Sequence, residues 1–422
     1  MTSSEQRTPS LGRDYFWNTA WSFMVAGATV IMLIIVTRAA GVAAAGVFSI
    51  ALAIGQQFQT LGMYEVRTYQ VTDVQGRFTF GTYLAVRILT VLLMVLGILL
   101  ASWVFGSDLK DSALIAFVAL LRVFDAIEDV YYSELQRQGR LDIAGRAGFI
   151  RSFVTTAVFS IGIWVTGDLF ATTAVTFLVS FATMVLVFIP PSRALFSLRP
   201  LWQRERIRLV LLLCLPLALA SFISIYLANA PRFAISFFLD KEHQGYFALL
   251  FMPAFAINLL STIVFRPLLT RMATLWVSHN VRGFLRIVYR GLSATLLSFL
   301  LVGGVTFFLG VAILNILSGK DISGYLLELM VLVFGGAMNS ASVILYYALT
   351  TMRRQSHVFV GYAVAALAIT VFLIFLVPPF HLLGASIGYA GAMSLLSGYF
   401  FLALFMELRR DENCPSISDL QN

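Results

Sequence analysis

The chain has 422 residues, of which 59% are hydrophobic and only 12% charged, and its mean hydropathy is +0.87. A soluble domain carries about 25% charged residues, so this composition excludes a water-soluble fold and calls for a helical membrane protein of many spans. The net charge of +8 raises nucleic acid as a partner, but the placement of the basic residues argues against it.

The polar N-terminus, MTSSEQRTPSLGRDYFW, leads into an apolar stretch at 15–37. That stretch is longer than a signal-peptide core and lacks a small-residue cleavage site, which predicts an uncleaved first span. Further spans are predicted at 43–65, 81–104, 112–133, 146–167, 169–189, 209–231, 245–266, 290–313, 325–349, 358–378 and 384–406. Each is close to the roughly 20 residues a helix needs to cross the hydrocarbon. Most connections are short, so neighbouring helices should be antiparallel. The linker Pro190 to Arg208 divides the chain into two six-helix bundles, 1–200 and 201–422. Within it, Leu201 to Arg208 is expected to lie on the membrane surface, with Trp202 at headgroup depth. Pro216, Pro231 and Pro253 are expected to bend spans seven and eight.

With the N-terminus cytoplasmic, most of the 29 basic residues fall on the cytoplasmic side. The opposite side holds only Arg38, Lys110, Arg232, Lys241 and Lys320. This asymmetry predicts cytoplasmic N- and C-termini and explains the basic charge by topology, with no nucleic-acid partner. The halves resemble each other weakly. After Arg38 comes AGVFSIALAI (Ala45 to Ile54) and after Arg232 comes QGYFALLFMP (Gln244 to Pro253), while YYSELQRQGR ends span four and YYALTTMRRQ ends span ten. Six spans per half make these parallel repeats, an alternating-access transporter plan.

The charged residues inside spans are the most informative. In Leu120 to Asp142, LLRVFDAIEDVYYSELQRQGRLD, spacings of three and four put Arg122, Asp125, Asp129, Tyr132 and Gln136 along one side of a helix, with Glu128 on its flank. Arg87 and Arg151 lie at a similar depth in spans three and five. These three arginines and three carboxylates are expected to meet. One reading is a salt-bridge cluster that locks spans three to five. The other is a cationic binding surface whose carboxylates exchange H⁺ or Na⁺. Arg38 and Arg232, at matching outer ends of spans one and seven, read either as snorkelling anchors or as a gate for an anionic substrate, which arginine grips with two donors. Arg266, with Arg67 as its rough counterpart, would serve at the inner mouth, where the positive-inside rule explains it equally well.

Enzyme chemistry finds no foothold. The chain has no GxxxxGK[ST], HExxH or CxxC, its four histidines fall outside the predicted spans, and the external loops are short. No cofactor or metal is expected. Cys214 lies in an apolar run and Cys414 in the C-terminal tail, so no disulfide is expected.

Four stretches carry a resemblance to a known family. They are NTAW from Asn18, RAAGVAAAGVFSIALAI from Arg38, EVRTYQ from Glu65, and LLGASIGYAGAM from Leu382 to Met393. With twelve spans and an N-in plan, they resemble the Wzx-type oligosaccharide flippases of the multidrug/oligosaccharidyl-lipid/polysaccharide (MOP) exporter superfamily. The resemblance implies an all-α, MATE-like, V-shaped fold in a bacterial or archaeal cytoplasmic membrane. It further implies a polyprenyl-(di)phosphate-linked oligosaccharide as cargo, an H⁺ or Na⁺ gradient as driving force, and polysaccharide synthesis enzymes as partners. Carried over residue by residue, it points to Arg38, Arg87, Arg122, Arg151 and Arg232. The group Asp125, Glu128 and Asp129 departs from a purely cationic cavity. The rivals are a MATE-type drug antiporter, which needs an acidic cavity, a membrane-embedded glycan enzyme and an assembly scaffold.

Overall fold

The structure, a computed structural model, describes residues 11–73, 76–257, 268–278 and 280–412, and its regular elements among them are all helices. The first are α1 (Leu11–Ala40), α2 (Val42–Met63), α3 (Val66–Thr72), α4 (Phe80–Phe105) and α5 (Leu109–Leu120). Next come α6 (Arg122–Arg137), α7 (Leu141–Thr166), α8 (Leu169–Leu195), α9 (Arg204–Phe238) and α10 (Lys241–Leu250). The rest are α11 (Leu268–Val277), α12 (Val281–Val305), α13 (Val311–Ser318), α14 (Leu326–Thr351) and α15 (Gln355–Glu412). A π-helical turn, Thr306–Gly310, joins α12 to α13, and α15 is two helices meeting at His381, where φ is 50° and ψ −124°. Taking α5 and α6 as one span interrupted at Leu121, the protein is a polytopic all-α membrane protein of about twelve spans.

Caps and close approaches set the helix ends. Asp108, Asp168 and Asp240 precede α5, α8 and α10, and their carboxylates accept the amides of Asp111 (2.7 Å), Phe170 (2.8 Å) and His243 (2.9 Å). An aspartate there satisfies an amide that the helix itself leaves unpaired. At the α15 reversal, a Cβ on Gly384 would lie 2.0 Å from the carbonyl oxygen of Leu376. Only glycine lets the two arms approach so closely.

The linker differs from expectation. Helix α8 runs through Pro190 and Pro191 to Leu195. A proline removes one backbone donor, and at the end of a span water can take the freed carbonyl, so the helix need not stop. The Leu201 amide donates to the Gly81 carbonyl (2.9 Å), and Arg204 already begins α9. The expected surface segment Leu201–Arg208 is therefore a short tether followed by the first turn of a span, with Ile207 buried. Helix α9 also continues through Pro216 and Pro231.

The chain divides into two compact units, Met1–Ile225 and Tyr226–Asn422. In the first, α1 packs on α7, α7 on α8, and α2 on α4, α5 and α6. Phe80, Tyr83, Phe124, Phe188, Val210 and Cys214 belong to an aromatic-rich core of this unit, so the start of α9 closes it. In the second, α14 packs on both α12 and α15. Ile257, Val333 and Ala337 form a core there. Exposed leucines run along α4 (Leu92, Leu96, Leu99, Leu100) and α12 (Leu296, Leu297, Leu300, Leu301). Such faces suit contact with lipid, where a leucine gains nothing by further burial.

Candidate functional site

Helix α6 is the organising element of the first unit. Its acidic residues face arginines from α3, α4 and α7, while α1, α2 and α8 supply neutral partners. Asp125 accepts from Arg122 Nη1 (3.0 Å) and also pairs with Arg151 Nη2. Arg151 spans two carboxylates: its Nε meets Glu128 Oε2, and its Nη2 meets Glu128 Oε1 (2.8 Å) as well as Asp125. Its Nη1 donates to Ser180 of α8 (3.3 Å). Asp129 accepts from Arg87 Nη2 (2.7 Å) and lies 3.7 Å from Arg67 Nη1. Arg87 Nη1 donates to the Gly62 carbonyl at the end of α2 (2.5 Å).

The expected meeting of Arg87, Arg122, Arg151, Asp125, Glu128 and Asp129 is thus present. The structure adds Arg67, which sequence reasoning had placed only at a membrane mouth. Its guanidinium lies 4.4 Å from the Tyr132 ring centroid, and its Nη2 donates to Gln136 (2.9 Å). Tyr132 in turn donates to Asn18 of α1 (2.5 Å). Four arginines against three carboxylates leave one net positive charge.

The cluster is graded in access. Arg87 is 1% exposed and Glu128 3%, whereas the side chains of Arg122 and Asp125 are 17% and 20% exposed. A buried ion pair broken on one side leaves an uncompensated charge, so the deep end acts as a lock. The Arg122–Asp125 end is open enough to exchange partners. Gly55 of α2 makes room there: a Cβ at that position would sit 2.9 Å from the Arg122 stem and 3.0 Å from the Ala119 carbonyl.

The second unit carries a different arrangement. Arg232, on α9, donates from Nη1 to Asn229 Oδ1 (2.9 Å), and its guanidinium lies 5.3 Å from the Phe251 ring centroid. Tyr389 meets Phe251 edge-on, with centroids 5.1 Å apart. Among the described residues Arg232 has no carboxylate partner, and its Nε and the Asn229 Nδ2 are buried without acceptors. Arg38 differs from it, being exposed in the last turn of α1. Arg266 lies outside the described residues. Glu407, just beyond the last predicted span, is buried and paired with His357 Nε2 (3.0 Å) and Arg354 Nε (2.9 Å). Sequence reasoning missed this charge because it lies just past the C-terminal end of an uninterrupted apolar helix run.

No family model matches the chain, and no curated protein matches it in sequence. Among solved structures, the chain is similar to the lipid II flippase MurJ in an inward closed conformation (TM-score 0.69, 13% identity, 91% of this chain and 87% of that chain). It is also similar to the MATE multidrug transporter DinF-BH (TM-score 0.63, 13% identity, 98% and 99%). A third is a MOP superfamily transporter from Pyrococcus furiosus described as having a binding pocket of reverse polarity (TM-score 0.58, 15% identity, 96% and 96%). At such identities the likeness is one of fold: the protein has the fold shared by MurJ and the MATE transporters.

Proposed function

We propose that the protein flips polyprenyl-phosphate-linked oligosaccharide units from the cytoplasmic to the outer leaflet for cell-surface polysaccharide synthesis, by ion-coupled alternating access. The membrane is the cytoplasmic membrane of a bacterium or archaeon, with both termini inside, in keeping with the bias of basic residues. The observation that carries this reading is Arg232: a guanidinium without a carboxylate among the described residues, beside an aromatic ring, with unspent donors on itself and on Asn229. A planar donor fork in that state suits a phosphate. In the first unit, the half-open Arg122–Asp125 pair supplies the ion step. A proton or Na⁺ reaching Asp125 weakens its hold on Arg122 and frees that arginine for an anion. The fold of a lipid II flippase supports the reading without identifying the cargo.

A MATE-type drug antiporter draws on the same fold likeness. Binding an organic cation requires a carboxylate free of counter-ions. In the α6 cluster Asp125, Glu128 and Asp129 are each held by arginine. That leaves Glu328, whose Oε2 is buried without a partner among the described residues, as the carboxylate such a reading would use. The test is deletion of the gene followed by extraction of polyprenyl-linked saccharides. Accumulation of complete units inside the cell, with loss of envelope polysaccharide, is expected. Normal lipid-linked pools together with new sensitivity to cationic dyes would sink the flippase reading and leave drug export standing.

A further inference from the structure

A second basic site lies in the first unit, and none of the α6 cluster's arginines or carboxylates lines it. A cavity of about 460 Å³ opens where α1 and α7 begin and α8 ends, so it sits at one membrane face. Arg13, Arg140 and Arg146 line it together with Asp142, Trp17 and Val187. Buried Asp142 holds two of the arginines in place. It accepts from Arg13 Nη2 (2.5 Å) through one oxygen and from Arg140 Nε (3.1 Å) through the other. Arg146 is exposed and has no hydrogen-bond or ion-pair partner among the described residues. Three arginines against one carboxylate leave two net positive charges in the pocket.

The surroundings indicate what kind of anion fits. Trp17 lies 5.8 Å from Phe149, which stacks on Phe153 at 6.1 Å and 12°. This aromatic track follows α7 from the pocket toward its apolar face, where Phe153 is exposed. Leu186, beside Val187 on α8, is also exposed. A free phosphate needs only the arginines. A phospholipid uses both parts, its phosphate between the arginines and its chains along the apolar rows.

We propose that this pocket binds the phosphate headgroup of an anionic membrane phospholipid, with Arg146 as the residue left free to receive it. Basic pockets between spans at a membrane face suit such headgroups, and each arginine near the surface contributes about a five-fold gain in binding. The occupied pocket ties α1 to α7 and α8.

The experiment uses the full-length protein, delipidated in detergent and titrated with phosphatidylglycerol or phosphatidylcholine, with bound lipid counted by native mass spectrometry. Wild type is expected to retain phosphatidylglycerol in preference to phosphatidylcholine. Arg146→Gln should lower that retention about five-fold, and Arg146→Lys should restore most of it. Because Arg146 makes no contact that folding requires, the variant should unfold at the wild-type temperature. Equal retention of the two lipids by wild type, or unchanged retention in Arg146→Gln, would overturn the proposal. Displacement of the lipid by millimolar inorganic phosphate would assign the pocket to free phosphate instead and overturn it equally.

Discussion

At the scale of single residues, the two units treat buried arginine in opposite ways, and the consequences differ. Arg87 is enclosed and bonded to Asp129 and the Gly62 carbonyl. Arg87→Ala leaves Asp129 with only the more distant Arg67, and should destabilise the protein by about 3–5 kcal/mol. Thermal unfolding in detergent measures this, and adding Asp129→Ala should recover part of the loss. Among the described residues Arg232 has no carboxylate to strand, so Arg232→Gln should leave unfolding temperature unchanged or raise it and, on the proposed function, abolish lipid-linked saccharide transfer. Asp125→Asn separates the two roles of the α6 cluster. Because this carboxylate is 20% exposed and Arg151 keeps Glu128 as its other partner, the variant should reach the membrane folded and fail to transport; its absence from membranes would make the whole cluster a structural lock. The meeting of Arg87, Arg122 and Arg151 with the α6 carboxylates was legible in sequence, since helical spacing and depth suffice to bring them together. Arg67 was not. It enters through α3, which follows a bend where Tyr64 and Glu65 adopt φ of 49° and 53°, and no periodicity in the sequence signals that turn.

At the scale of elements, hydropathy locates spans well and their ends poorly, because ends are decided by single contacts. Pro190 and Pro191 read as a stop, yet α8 continues past them. Leu201 to Arg208 reads as a surface helix, but one hydrogen bond to Gly81 turns it into a tether. The α15 reversal is the converse case, since the predicted spans 358–378 and 384–406 leave the turn between them where His381 makes it. Gly384→Ala should force the Leu376 carbonyl aside and destabilise the protein by about 1–3 kcal/mol, as overpacking does, again read by thermal unfolding. The connection before α4 has its own lock. Burial raises the Asp73 pKa, but the amides of Phe78 and Arg77 and the Tyr83 hydroxyl outweigh it and hold the carboxyl below the usual range. Its contribution is therefore complete above the ordinary aspartate value of about 4 and is lost as pH falls through the lower folded value. The protection of the Arg77 and Phe78 amides against exchange, relative to their intrinsic rates, should fall only under that acid condition. Asp73→Asn should show the low protection at neutral pH as well.

At the scale of the whole molecule, similar hydropathy hides unlike electrostatics. The first unit closes its charges on themselves around α6, whereas Arg232 in the second lacks a carboxylate partner among the described residues. The proposed function draws on both properties: a unit that holds its shape while ions exchange at one end, and an arginine to take the phosphate. That division of labour requires the spans to cross as the basic-residue bias predicts, with the N-terminus inside. The loop before α4 and the loop between α4 and α5 must then lie on opposite sides, since α4, Phe80–Phe105, is a single 26-residue span. Exposed Arg77 and Ser107 mark the two loops. Native Cys214 is buried, so replacing Cys414 by serine leaves a quiet background for labelling. In intact cells an impermeant maleimide should modify Ser107→Cys at once and Arg77→Cys only after permeabilisation. The reverse order would invert the protein, place Arg232 at the cytoplasmic end of its span, and overturn the topology on which the proposed gate at the outer end rests.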